Sequence, residues 1–280
     1  MCGKPIRFID LFAGIGSFHY SFIRHGLQCV AASDICPPAK ATYQHNFGLQ
    51  PLGDIKDIDP SKLPQYDILC AGFPCQAFSQ AGHHKGFDDD RGTMFFQVMR
   101  LVAVNNPRVI VLENVPALLT HDNGNTFTVI KEQLTKEGYQ VIHKVLKCCD
   151  YGIPQMRKRV FIICYKNITT RNINHFFDLS KYKKKVTLSD YLGLPFDKET
   201  AYTIRCGGKN SPINDRHNWD GYMVGGKEYR LTIEDGLRLQ GFENYTLLGT
   251  KIEKWKLLGN TIPTVFTDII CQQLLEHFVF

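Results

Sequence analysis

The sequence predicts an α/β protein: a doubly wound, mostly parallel sheet with a small second lobe. Three observations carry this expectation. Apolar runs of strand length alternate with helical patterns from Ile6 to about Tyr165. A glycine turn, Ala13-Gly14-Ile15-Gly16-Ser17, follows the first run. Several runs end on residues with chemistry to offer, Asp34, Glu113 and, just past a short loop, Cys75, at the tips where open sheets gather their sites.

Ile6 to Phe12 reads as the first strand, and the glycine turn leads into a helix through about Gly26. Such glycines let the backbone approach a ligand closely, while the helix N-terminus and Asp10 can bind its polar groups; a plain tight turn would look the same. Leu27 to Asp34 is a second strand, and Pro37-Pro38 open a helix to about Phe47. Asp34 follows the glycines by about twenty residues, the spacing at which a strand-end acid accepts hydrogen bonds from a ribose. Asp54, in Gly53-Asp54-Ile55, stands before the third strand and can accept from an exocyclic amine such as that of adenine.

Asp67 to Ala71 is a short buried strand that Gly72-Phe73-Pro74 ends, holding Cys75 at its tip. Cys70, inside the strand, reads as core. Cys75 sits in a polar, glycine-rich loop, where a thiol can be exposed, deprotonated and used as a nucleophile. Gln80 to Gly92 is long and aperiodic and reads as a lid. A helix from about Thr93 to Val104 precedes the apolar run Val109 to Leu112, a buried parallel strand that puts Glu113 on the same rim as Cys75. After a helix from Thr126 to Gly138, Tyr139 to Leu146 and Val160 to Cys164 read as strands. Arg157 and Arg159 alternate into the second of these and face one side, two permanently charged forks suited to a phosphate or a base carbonyl.

From about Lys166 to Lys227 the apolar runs shorten. Lys181, Lys183, Lys184, Lys185, Arg205, Lys209 and Arg216 mix with Tyr182, Tyr202, Trp219 and Tyr222, a composition that suits a nucleic-acid face and equally a basic surface lobe. Helical periodicity resumes over Arg230 to Phe242 with Thr232 as N-cap. Leu257 to Pro263 reads as a turn into a last amphipathic helix through about Phe278.

A length of 280 residues accommodates one large core and a smaller lobe, and 44% hydrophobic with 21% charged residues excludes disordered and fibrous classes. The 33 basic against 27 acidic residues give +6, which suits a polyanionic partner but also suits solubility alone. No run approaches a membrane span, and the N-terminal apolar run is too short for a signal peptide. The ten cysteines are therefore expected as free thiols, and with no Cys-x-x-Cys pair no metal site is expected.

Taken together, Asp10-Leu11-Phe12-Ala13-Gly14-Ile15-Gly16, Gly53-Asp54-Ile55, Gly72-Phe73-Pro74-Cys75-Gln76, Glu113-Asn114-Val115, Gln155-x-Arg157-x-Arg159, Arg230-Leu231-Thr232 with Arg238-Leu239-Gln240-Gly241-Phe242, and Gly259-Asn260-Thr261 resemble one family. It is the cytosine-C5 DNA methyltransferases of the bacterial restriction-modification type, S-adenosylmethionine-dependent enzymes of the class I methyltransferase fold. The resemblance implies that Phe12, Gly14, Ile15, Gly16, Asp34, Ile35, Asp54, Ile55, Pro74, Asn260 and Thr261 hold S-adenosylmethionine and its product S-adenosylhomocysteine. Asp34 would face the ribose and Asp54 the adenine amine. It further implies that Cys75 attacks C6 of cytosine, that Glu113 serves N3 and the exocyclic amine, that Arg159 holds O2 and that Arg157 supports the site. Ser79, Arg91, Thr203 and Arg205 would contact DNA, Thr203 at the phosphate beside the target base. Three positions depart from the family pattern: Ser17 where glycine is usual, Asp34 where a longer Glu is usual, and Cys36 where an acid often follows.

On this reading residues 1–165 and 228–280 form the catalytic domain and 166–227 the target-recognition domain. The partner is double-stranded DNA, whose target base must leave the stack to be reached. A cognate restriction endonuclease would act separately, no membrane is involved, and the enzyme is expected as a monomer, DNA-associated in the cytoplasm of a bacterial, phage or viral host cell. The rivals are the same chemistry on a tRNA cytosine and a catalytically silent DNA-binding relative. A nicotinamide-dependent dehydrogenase is disfavoured because the glycine turn lacks its third glycine.

Overall fold

The computed structural model describes residues 4–74, 94–207 and 210–280. The glycine turn separates β1 (Arg7–Leu11) from α1 (Ser17–Arg24), and β2 (Gln28–Ser33), α2 (Pro37–Phe47) and β3 (Ile68–Ala71) follow. Next come α3 (Met94–Asn105), β4 (Val109–Asn114), α4 (Asn125–Lys136), β5 (Gln140–Lys147) and β6 (Lys158–Tyr165). These six strands form one sheet in the order β2-β1-β3-β4-β6-β5. β1 pairs in parallel with β2 and β3, and β3 with β4; only β6 runs against its neighbours.

Alternate residues of the central strands feed two cores. Ile68 and Cys70 pack with Phe18 and Phe22 of α1, whereas Leu69 and Ala71 pack with Phe95 and Val98 of α3 and with Ile130 of α4. Central strands covered on both faces explain the near-continuous apolar runs of the sequence. They also leave the C-terminal ends of β1 to β4 as an open rim, to which β6, being reversed, contributes its N-terminal end.

Beyond the sheet come β7 (Thr169–Thr170), α5 (Leu188–Leu192) and the hairpin of β8 (Gly221–Val224) and β9 (Lys227–Arg230). The chain ends with α6 (Ile233–Leu239), α7 (Lys251–Asn260), α8 (Thr264–His277) and β10 (Phe278–Val279), which pairs with β7. Phe176, Phe196, Trp219 and Tyr222 share one buried cluster with Phe266 and Ile270 of α8, and the Trp219 and Trp255 rings meet edge to face at 5.2 Å. The segment around residues 166–227 thus packs directly onto the sheet's own core.

Helix α7 corrects the expectation of a turn over Leu257 to Pro263: Leu257 to Asn260 are its last turn. Its start is fixed by a capping box, in which the Thr250 hydroxyl accepts from the Glu253 amide and the Glu253 carboxylate accepts from the Thr250 amide. Among the described residues no helix is long and apolar enough to cross a membrane.

Candidate active site

The glycine turn is held in an unusual backbone shape. Phe12, Gly14 and Gly16 all have positive φ, of 54°, 55° and 84°. A Cβ on Gly16 would lie 2.4 Å from the Phe47 ring, so only glycine fits there. Four ties fix the loop. The Ala13 amide donates to Ser33 O (2.9 Å), the Gly14 amide to Asp34 Oδ2 (2.7 Å), the Ser17 hydroxyl to Ile262 O (2.6 Å), and the Tyr245 hydroxyl to Ile15 O. The serine that departs from the family's glycine thus binds the turn to the chain entering α8.

Asp10, Phe12, Gly14, Ile15, Gly72, Glu113, Asn260 and Thr261 line one pocket above this turn. Asp10 is its anomaly. The residue is 1% exposed, and neither carboxylate oxygen has a hydrogen-bond partner. Burial pushes its pKa well above the ordinary 3.8; the His19 amide pulls the other way without reaching hydrogen-bond geometry, and Asp34 adds repulsion. An unpartnered buried carboxylate wants a cationic ligand, and the ammonium of an amino-acid moiety is such a group.

Other cofactor candidates are placed as follows. Asp34 spends one oxygen on Gly14 and the other on the Cys36 amide at 2.8 Å. Ile35, beside it, is exposed. Asp54 caps a short 3-10 turn by accepting from the Lys56 amide at 3.0 Å. The Ile55 side chain lies in the core on the α3 side rather than on the pocket wall, and Arg100 of α3 pins this turn through Ile55 O and Ile58 O. Pro74 is exposed at the end of the described chain after β3.

Across the pocket, on the rim, Glu113 ends β4. It is 7% exposed, and Arg159 Nε stands 2.8 Å from Oε1, an ion pair rather than an aligned hydrogen bond. Burial raises the Glu113 pKa; Arg159 and then Arg157 oppose the rise without cancelling it, so the protonated acid is favoured relative to an exposed glutamate. Gly72 leaves room beside it, since a Cβ there would lie 3.2 Å from Glu113 Oε2 and would crowd the carboxylate. The neighbouring Asn114 donates from Nδ2 to Phe73 O at 2.8 Å and accepts from the Val115 amide at 2.8 Å. One amide therefore ties the segment leading to Cys75 to the strand carrying Glu113.

Arg157 differs from the spacing-based expectation of a second fork for a phosphate or base carbonyl. It lies just before β6, is 1% exposed, and donates to Ile204 O (3.1 Å) and Gly259 O (2.9 Å). Burial pushes its guanidinium down to about 9, with Arg159 adding repulsion, and it stays charged at neutral pH. Gln155 is fully buried and bonds Leu239 O (2.8 Å) and the Ile204 amide (3.3 Å). Arg157 and Gln155 therefore grip Ile204 from both sides, leaving Thr203 half-buried and Arg205 exposed. This segment passes so close to α7 that a Cβ on Gly259 would lie 2.5 Å from the Cys206 amide nitrogen; Cys206 Sγ is 2.9 Å from Asn260 Oδ1.

Cys75, Ser79, Arg91 and the lid expected at Gln80 to Gly92 lie outside the described residues. Sequence reasoning gave no role to Asn114, Gln155 or Cys206. Asn114 and Gln155 stood inside quoted motifs, whereas the approach of Cys206 to Gly259 had no local signal. Among the described residues no group of three His, Cys, Asp or Glu side chains could hold a metal ion.

Fold and site define an α/β protein with a pocket that joins a glycine turn to a buried acid paired with an arginine. The pattern of the family described as C-5 cytosine-specific DNA methylase matches residues 6–229. The Type II methyltransferase M.HhaI of Haemophilus parahaemolyticus is 34% identical over 297 residues, covering 92% of this chain and 90% of that protein. M.HaeII of Haemophilus aegyptius, also a Type II methyltransferase, is 39% identical over 298 residues, covering 98% and 94%. The crystal structure of the S. pombe Dnmt2 methyltransferase shares the fold, with a TM-score of 0.71 at 20% identity over 96% of this chain and 98% of that one. The chain belongs to the C-5 cytosine-specific DNA methylases. It is an S-adenosylmethionine-dependent enzyme that methylates cytosine at C5 in DNA.

Proposed function

We propose that the enzyme modifies a cytosine within one specific sequence of double-stranded DNA, through a covalent bond between Cys75 and C6 of a base swung out of the duplex. The observation that carries this is Glu113, buried at the rim, ion-paired with Arg159 and lining the same pocket as the unpartnered Asp10. The pocket's residues fit S-adenosylmethionine. Asp10 would receive the ammonium, the amides of the glycine turn and Asp34 the sugar end, Asp54 the adenine amine, and Phe12, Ile15, Pro74, Asn260 and Thr261 the remaining contacts. When bound, the cofactor supplies a methyl group as an electrophile on a sulfonium.

C5 of cytosine is a poor nucleophile until a group adds across the 5,6 double bond. The Cys75 thiolate adds at C6, the electrons move toward N3, and the proton on Glu113 is shared there. Arg159 keeps the Glu113 carboxyl oriented and reaches for O2 of the base. Arg157 and Gln155 act as positioning residues that hold the 203–205 segment against the pocket. After methylation the C5 proton leaves, the Cys75–C6 bond breaks, and the ring regains aromaticity.

Residues 166–227 would form the target-recognition domain, with Thr203 and Arg205 on the DNA, Ser79 and Arg91 contributing from the loop after Cys75, and the rest completing the catalytic domain. The enzyme would work as a monomer in the cytoplasm, a cognate restriction endonuclease acting separately. Transfer of tritium from labelled S-adenosylmethionine tests the reading. Label at cytosine C5 of duplex DNA is expected; label in tRNA alone would contradict the DNA assignment.

A further inference from the structure

A basic groove lies on the same rim, two strands away from Glu113. Glu113 pairs with Phe161 across β4 and β6, and Lys147 of β5 pairs with Lys158, three residues further toward the rim. With a strand rise of about 3.3 Å and a strand spacing of about 4.8 Å, Lys147 stands roughly 14 Å from Glu113. Past Lys147 the chain turns through Cys148 to Asp150, and a segment after β7 comes alongside: the Lys184 amide donates to Asp150 O at 3.0 Å, and Lys184 bridges Tyr151.

The two segments wall a groove of about 510 Å³ lined by Lys147, Lys183, Lys184, Lys185, Cys149 and Thr200. Two acids accompany the four lysines: Asp150 lines the groove, and Glu199 pairs with Lys185 at 3.2 Å. Lys147, Lys183 and Lys184 have no ion pair among the described residues. The stem of Lys184 passes beside Gly152, where a Cβ would stand 3.4 Å from it. Unpaired like charges held together work against folding, and a polyanion relieves that repulsion.

We propose that this groove seats backbone phosphates of the substrate duplex, roughly 14 Å or about four base pairs from the target cytosine, and so grips DNA beyond the recognised sequence. The inference rests on the DNA methyltransferase reading and adds a sequence-independent contact that no catalytic group supplies. Phosphate contacts of this kind set register and affinity, not sequence.

The test uses the full chain and duplexes carrying its mapped methylation site, one extending about twelve base pairs on each side of the target cytosine and one trimmed to end about three base pairs from it, too short to reach the groove. The variant carries Lys147→Ala, Lys183→Ala and Lys184→Ala. On the long duplex it should bind at least tenfold more weakly, and its plot of log affinity against log salt should be shallower by about 2 to 3, near 0.9 per lost phosphate contact. On the short duplex it should match the wild type, and Lys184→Arg should keep most of the long-duplex affinity. An unchanged salt slope on the long duplex overturns the proposal. So does an equal loss on both duplexes, which would mean disturbed packing. If the wild type itself transfers no methyl to the long duplex, the underlying reading fails instead.

Discussion

Replacing Asp10 with asparagine should stabilise the cofactor-free protein, and by more at higher pH. Asp10 is 1% exposed with neither oxygen hydrogen-bonded, and burial holds its pKa well above 3.8. Below pH 3.8 the folded and unfolded chains both carry the proton, and its titration contributes no difference. As pH rises, the unfolded chain ionises while the folded chain does not, so wild-type stability falls by about 1.4 kcal/mol per pH unit until the folded pKa is passed. The loss grows with pH until the folded pKa is passed, and Asp10→Asn removes it. At about 2 °C per kcal/mol for a chain of this size, the variant's advantage in Tm should widen by about 3 °C per pH unit from pH 3.8 up to the folded pKa. Thermal melts of both proteins at half-unit pH steps measure this, and calorimetric titration of S-adenosylmethionine should show weaker binding to the variant. A Tm difference independent of pH, or one that shrinks as pH rises, would refute the reasoning.

Three further substitutions probe the rim and its supports. Glu113→Gln keeps the shape but cannot deliver a proton to N3, so kcat should fall about 10² to 10⁴-fold in single-turnover assays. Because the protonated acid is the working form and its pKa is raised, the wild type should lose rate as pH rises through that pKa, while the variant's residual rate should lack this step. Asn114→Ala strips the Phe73 carbonyl of its 2.8 Å donor; about 1–3 kcal/mol of stability should go, with kcat reduced more than cofactor affinity in parallel melts and titrations. Gly259→Ala sets two effects against each other. Helix propensity alone favours alanine by about 1 kcal/mol, but the new Cβ would meet backbone of residues 205 and 206 at 2.6 and 2.5 Å, so denaturant titration should show a net loss of about 1–2 kcal/mol and DNA binding should weaken.

The sheet was legible because its strands are buried on both faces and read as unbroken apolar runs, and because glycine and proline mark their ends. α2, read from Pro37 to about Phe47, has those bounds in the structure. α7 was obscured because the Gly259-Asn260 pair looks like a turn, although Thr250 and Glu253 carry the capping-box spacing that marks its start. At the site, residue type and strand-end position were enough to single out Glu113 and Asp34. What each side chain does with its atoms was not legible. Arg157 was read from its spacing as a fork for a phosphate or base carbonyl and from the resemblance as a support, and its commitment to Ile204 and Gly259 depends on contacts 47 and 102 residues away. The tie from Ser17 to Ile262 spans 245 residues, beyond any local pattern.

The central claim is covalent attack by Cys75, and trapping tests it most directly. Duplex DNA carrying 5-fluorocytosine at the mapped target, incubated with protein and S-adenosylmethionine, should yield a protein–DNA complex stable to denaturation. Fluorine at C5 blocks the release step, so peptide mapping should find the base on Cys75, and Cys75→Ser should form no complex. Methylation of ordinary duplex by the wild type without any trapped complex, or trapping that persists in Cys75→Ser, would contradict the account.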